Sequence, residues 1–177
     1  QRLDFLVSTG PAHLRQEKEL SFQAGELIGK LYNAFLPQYI DPTSAHSLHS
    51  LNVLCVRLVF CLYSEDAGLF GTNHSAFYDY MKSSNDVRQM RKDLIDLFKV
   101  LDTDIPNRDQ YDERTKHFPY VNGGLFHDDT PIEIPNFTQE IADLLLEDCS
   151  AGFDWSRISP TIFGAVFEST LNPETRR

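Results

Sequence analysis

Apolar positions recur along most of this chain with the period of a helix. From Leu14 to about Leu36 they fall at Leu20, Leu27, Ile28, Leu31 and Phe35, the three- and four-residue spacing that lines one side of a helix, and Pro37 stops the run. Leu51–Tyr63 differs in being apolar except for Asn52 and Arg57. A helix apolar on nearly every side belongs at the centre of a core, and Gly68 marks its end as a C-terminal cap. A shorter segment around Phe77–Met81 follows. Asp86–Leu101 then places Met90, Leu94, Leu97, Phe98 and Leu101 on one face.

After Leu101 the period is lost. The polar run "DTDIPNRDQYDERTKH" predicts a loop. In "FPYVNGGLF", Phe118–Phe126, an Asn-Gly pair favours positive φ at both central positions of a tight hairpin turn, with Tyr120 and Leu125 packing across it. In "TPIEIPN", Ile132 and Ile134 alternate with polar neighbours as in a short strand. Asn136, with Gln139 three residues on, resembles a capping signal for a helix whose Phe137, Ile141, Leu144 and Leu145 share a face. A last helix opens at "SPTIF", with Ser159 as N-cap, Pro160 at the first helical position and Ile162, Phe163, Val166 and Phe167 on its apolar side. The pattern predicts a mainly α fold, a single helical domain with a small β-hairpin near residues 118–134.

Composition adds bounds to that picture. At 177 residues and 41% hydrophobic content, the chain fits one domain burying roughly 70% of its unfolded surface. Neither Met81 nor Met90 lies near the start, and the opening "QRLDFLVSTGP" suggests a piece of a larger protein. The apolar run Phe5–Val7 is shorter than a signal peptide requires, and no uninterrupted apolar stretch reaches the roughly 18 residues of a membrane span. No membrane partner and a cytoplasmic location are therefore expected. Cys55, Cys61 and Cys149 make an odd number, two of them inside the apolar run, which fits a reducing compartment. Sixteen basic against 26 acidic residues give a net charge of -10, so the surface as a whole repels nucleic acid. Only local patches could bind it, at Arg88–Lys92 ("RQMRK") or at Arg176 and Arg177, and both read as solvated helix faces or ends.

Candidate chemistry is sparse. Gly123-Gly124 lacks the three spaced glycines of a dinucleotide loop and the Lys-Ser/Thr of a phosphate loop. His46 and His49 could share a helix face with Cys55 nearby, but a zinc site needs a fourth ligand. Asp128, Asp129 and Glu133 supply acids without the Lys of a nuclease motif, and Asp4 with Gln16-Glu17-Lys18 matches only a degenerate form of it. These residues present no catalytic, cofactor-binding or metal site. Two features remain unusual. Arg57 lies in an apolar helix and must meet an acid or several carbonyls, and Glu65-Asp66 oppose the dipole at that helix's end. Both point to a structural buried polar network.

Three stretches, "RLVFCLYSEDAGLF" (Arg57–Phe70), "FPYVNGGLF" and "FDWSRISPTIFGAVFESTLNPETRR" (Phe153–Arg177), resemble the helical spacer of MmeI-like DNA methyltransferases, large single-chain restriction-modification enzymes and their phage-defence relatives. The resemblance implies that residues 1–177 are a helical spacer, with residues 153–177 leading into an adenine-specific methyltransferase domain and "NPETRR" forming the junction. It implies S-adenosylmethionine in the parent enzyme, and magnesium where a nuclease is retained, with neither bound by this fragment. Implied partners are the adjoining methyltransferase and nuclease domains, and DNA through the parent in a bacterial cytoplasm. The family's cofactor loop and Asn-Pro-Pro-aromatic motif are absent from these residues. An autonomous helical protein-interaction module with no catalytic role is the competing expectation.

Overall fold

A computed structural model describes residues 10–159 and residue 161. The expected helix at Ile162, Phe163, Val166 and Phe167, the junction "NPETRR" with Arg176 and Arg177, and Asp4 lie outside the described residues, as do Phe5–Val7 and Pro160.

Helix α1 spans Pro11–Phe35 and α2 spans Ala45–Asp66. Pro11 suits the first turn of α1, where no intrahelical N–H bond is required. Ser44 caps α2 by accepting from the Ser47 N–H at 3.0 Å. At the far end of α2, Gly68 adopts φ 79°, and the Leu69 N–H reaches back to the Ser64 carbonyl at 2.9 Å. That pair of features is a Schellman stop. Helix α3 (Ala76–Lys82) and helix α4 (Val87–Leu101) follow. Asp86 caps α4 by accepting from the Gln89 N–H at 2.8 Å. A short helix α5, Gln139–Asp143, runs into a π-helical segment, Leu144–Ala151, and a 3-10 turn follows at Trp155–Arg157.

Helix α2 is the hub: α1, α3 and the Trp155–Arg157 turn all pack on it. Leu51, Leu54, Cys55, Leu58, Val59, Cys61 and Leu62 are buried, joined by Phe35 and Ile28 from α1 and by Leu94 and Leu97 from α4. At 22 residues the helix is, by length and composition, long enough to cross a bilayer, although its central apolar run is shorter. In this fold most of its apolar side chains instead face protein. One sector stays partly open, carrying exposed His46 and His49 and half-buried Val53, Val56 and Phe60.

The hairpin expected near residues 118–134 is not formed, and there are no strands among the described residues. The physical reason is visible in the backbone partners of this stretch. Arg108 donates to the Phe118 carbonyl and, at 2.9 Å, to that of Pro119. Val121 N–H goes to the Leu101 carbonyl at 2.8 Å, and Glu133 N–H to Ser50 Oγ at 2.9 Å. Arg57 takes the Leu125 carbonyl at 3.0 Å and Arg91 the Ile134 carbonyl at 2.7 Å. Groups that a hairpin would pair across its own ladder are held by side chains of the loop and by helices instead. Positive φ falls at Gly123 (113°) and Gly124 (86°), not at Asn122, and Tyr120 is exposed rather than packed across a turn. The cap of α5 is Thr138, which accepts from the Ile141 N–H at 3.1 Å, and not Asn136. Phe137 is buried ahead of that helix, edge-on to Phe35 at 5.3 Å between centroids.

A Cβ placed on Gly123 would meet nothing within 4 Å, so the conformation alone limits this position. Gly123→Val is expected to destabilise the chain by about 1 to 3 kcal/mol through backbone strain, read as a lowered Tm. An unchanged Tm would show that the loop relaxes to negative φ at no cost.

Candidate functional site

The polar features of α2 organise the rest of the molecule. Arg57 has a side chain 2% exposed and lies where α2 faces the glycine loop. Its Nε donates to Leu125, while Nη1 and Nη2 reach Asp128 at 3.2 and 2.7 Å in a two-pronged pair. The guanidinium also stands over the rings of Phe98 and Phe126, at 5.3 and 5.6 Å from their centroids. One side chain thus fixes α2, α4 and the loop together. Asp128 is 25% exposed, and its neighbour His127 lies between Asp102 at 3.4 Å and Asp129 at 3.3 Å. Those carboxylates, Asp102 foremost, hold the His127 imidazole above its ordinary pKa.

The acid pair at the end of α2 works differently, since no cation bonds to either carboxylate among the described residues. Glu65 is buried and accepts from the Tyr78 N–H at 3.0 Å and the Ser150 hydroxyl at 2.7 Å. It joins α2 to α3 and to the π-helical segment. Burial raises its pKa to about 7, against the lowering effect of those two hydrogen bonds. Asp66 accepts the Trp155 N–H at 2.8 Å, and burial raises it to about 6. Trp155 is fully buried, and its indole N–H closes on the Cys149 carbonyl at 2.9 Å. Trp155 is therefore seated on α2 through Asp66.

The other candidates separate. Cys55 is fully buried while His46 and His49 are exposed, so α2 points thiol and imidazoles in different directions. No group of three or more potential metal ligands occurs among the described residues. Glu133 is taken up by α2, accepting from Ser47 Oγ at 3.0 Å. Glu17 pairs with His13 at 3.1 Å on α1. Arg91, within the basic run, is committed to the Ile134 carbonyl, which leaves Arg88 and Lys92 as its exposed charges. Gly123 and Gly124 have neither a strand before them nor a helix opening directly after them. They lack the strand–loop–helix frame that a cofactor or phosphate loop requires.

Sequence reasoning missed two further arginines. Arg108 straps the loop as described. Arg114 bonds to the Tyr80 carbonyl at 2.8 Å, to Ser83 Oγ at 2.7 Å and to Asp93 at 3.3 Å, and lies 4.4 Å over the Tyr80 ring. Gly152 was also not distinguished: a Cβ there would stand 2.7 Å from the carbonyl oxygens of Glu147 and Asp148. The stretch "LLLEDCSA" carries no local mark of the π-helical segment it forms.

Two outcomes follow. Arg57→Ala should cost about 3 kcal/mol in urea unfolding, the lower end for breaking a buried pair because Asp128 can rehydrate. Arg57→Lys should recover less than half of that, since one ammonium cannot serve Leu125 and both Asp128 oxygens. The second outcome concerns pH. A carboxyl whose folded pKa is raised binds protons more readily in the native state, so stability falls as pH rises from about 4.5 to about 7. Asp66 acts in the same sense at lower pH. Glu65→Gln should flatten this slope and raise stability at pH 8 relative to wild type, checked by urea melts at pH 5 and pH 8. A slope unchanged by the substitution would place the titration elsewhere.

Comparison with known proteins bears on what this scaffold is. Residues 49–126 match the family described as MmeI, helicase spacer domain. DNA methyltransferase A of Bacillus subtilis (strain 168) is 30% identical over 176 residues, covering 97% of this chain and 19% of that protein. The solved structure of the Type IIL restriction-modification enzyme MmeI in complex with DNA is similar over 87% of this chain and 19% of that one, with 36% identity and a TM-score of 0.68. The chain spans about a fifth of the length of each of these relatives. In both sequence and fold the chain is thus similar to the spacer region of MmeI-like DNA methyltransferases and restriction-modification enzymes.

Proposed function

We propose that this chain is the spacer of a larger S-adenosylmethionine-dependent, adenine-specific DNA methyltransferase of a bacterial restriction-modification or phage-defence system. Its role is to hold the catalytic domains at a fixed separation and orientation. The observation that carries this reading is the coincidence of the matched span with the strapped part of the fold. Residues 49–126 begin in α2 and end in the glycine loop, and Arg57 ties the one to the other. A connector that transmits position must be stiff between its attachment points, and a two-pronged buried arginine with aromatic rings above it supplies stiffness that a hydrated loop lacks.

In this reading residues 1–177 are one spacer, and residues 153–177 lead to the methyltransferase domain, with a nuclease domain as the further partner. S-adenosylmethionine would supply the methyl group for the exocyclic amine of an adenine turned out of the duplex. Among the described residues Gly123 and Gly124 lack the strand–loop–helix frame, which supports placing that cofactor in another domain. The residues of this chain hold the body on which cofactor and base are brought together. Magnesium, where a nuclease uses it, belongs equally to that other domain. The net charge of -10 supports contact with DNA through the neighbouring domains rather than through this one. Cys55, Cys61 and Cys149, all buried and none assigned to a disulfide, support a cytoplasmic setting.

The test uses the full-length protein that contains this chain. Arg57→Ala should lower methyl transfer to duplex DNA by tenfold or more while equilibrium binding of S-adenosylmethionine is unchanged. Undiminished transfer, or micromolar binding of S-adenosylmethionine by the 177-residue chain alone, would overturn the reading.

A further inference from the structure

The outer face of α4 carries its charges in an unusual arrangement. At about 3.6 residues per turn, Arg88, Arg91, Lys92, Ile95 and Lys99 fall within roughly 100° of arc, opposite the buried face of Met90, Leu94, Leu97 and Leu101. Arg88, Lys92 and Lys99 are exposed, and Arg91 and Ile95 are half-buried. The stripe runs for about 16 Å along the helix. It contains no acid, in a chain where acids outnumber bases 26 to 16. A helix face that is merely hydrated carries both signs, and this one does not.

Two further observations set the stripe apart. Among the described residues Arg88, Lys92 and Lys99 take part in no ion pair, and Asp96 at the stripe's edge bridges neither lysine. The other acids nearby are engaged elsewhere: Asp102 lies against His127, Asp128 pairs with Arg57, and Glu133 accepts from Ser47. Arg88 also lies in the first turn of α4, with Arg91 and Lys92 in the second, toward the end where the helix dipole is positive and cations are disfavoured. Asp86 fills the cap itself, so the charged surface is the side of the helix and not its tip. Arg91 is aimed by its Nε, which the Ile134 carbonyl holds at 2.7 Å. Cations set against a dipole and left without acids raise the free energy of the chain, and an external anion would offset that.

We propose that this face of α4 contacts the phosphodiester backbone of duplex DNA, with Arg88, Lys92 and Lys99 meeting phosphates and Arg91 beside them. Each strand of a duplex carries a charge about every 3.4 Å along the axis, so the stripe spans several phosphates. Lysines act as point charges, which suits contact with the backbone and not the reading of bases. The net charge of -10 keeps the chain from recruiting DNA alone. The contact therefore forms on a duplex that the neighbouring domains already hold. The inference rests on the proposed spacer role for delivery of that duplex, and adds to it a local contact of the spacer's own.

The test uses the full-length protein that contains this chain. Lys92→Ala, Lys99→Ala and the double variant are compared with Lys116→Ala, a lysine already paired with Glu113 at 2.7 Å. Binding to duplexes of two unrelated sequences is followed by fluorescence anisotropy between about 50 and 200 mM salt. Each stripe lysine removed should flatten the slope of log K against log salt by about 0.9, and the double variant by about twice that, equally for both sequences. Lys116→Ala should leave the slope unchanged, and Lys92→Arg should retain it. A double variant with the wild-type slope, or one that departs no further than Lys116→Ala, would overturn the inference and leave the spacer role standing. An unchanged slope with a lowered Tm would also overturn it, and would assign the stripe to an acidic surface of a neighbouring domain. A wild-type parent that binds neither duplex would overturn both.

Discussion

A cation buried in the middle of an apolar helix is the constraint around which this fold is arranged. Arg57 cannot stay in α2 unless its donors are met, and among the described residues the chain has no strand to meet them. It brings instead a carbonyl and a carboxylate from a loop almost 70 residues away, and Phe98 from α4 closes over the planar face. The loop is compact because the arginine needs it to be. The same solution recurs in smaller form at Arg91 and Arg108, each holding main-chain carbonyls of the stretch between α4 and α5.

The middle and the C-terminal end of α2 are secured by opposite electrostatics. Near its middle a positive group is fully compensated, whereas at its C-terminus two carboxyls are met by N–H and hydroxyl donors only. Compensation by dipoles is weaker than compensation by charge, which is why burial prevails and Glu65 and Asp66 retain protons more readily than carboxyls in water.

How much of this was legible in the sequence depended on whether the determining contact was local. The helices were, because their period, their caps at Ser44 and Asp86 and the glycine stop at Gly68 are set within a few residues. That Arg57 needed acid or carbonyl partners was also legible, from the cost of burying a charge alone. The identity of those partners was not, nor was the fate of "VNGGLF". The Asn-Gly rule presupposes two strands free to pair, and the side chains of Arg57, Arg91 and Arg108 and the main-chain carbonyl of Leu101 had already claimed that backbone or fixed its path. Arg91 illustrates the limit from the other side. In a run of charges, a residue that binds a carbonyl looks the same as one that is merely hydrated. At the acid pair, composition marked the residues as unusual, but only the fold shows Tyr78, Ser150 and Trp155 converging on them.

Most of the arginine contacts to the segment between Phe118 and Ile134 are made to carbonyl oxygens, which every amino acid presents alike. Such an attachment holds the path of the chain without reading its side chains. Asn122, Tyr120, Asp129 and Thr130, all turned outward, could therefore be exchanged over generations while the frame beneath them stays in register. A surface held in this way can change its chemistry and keep its shape.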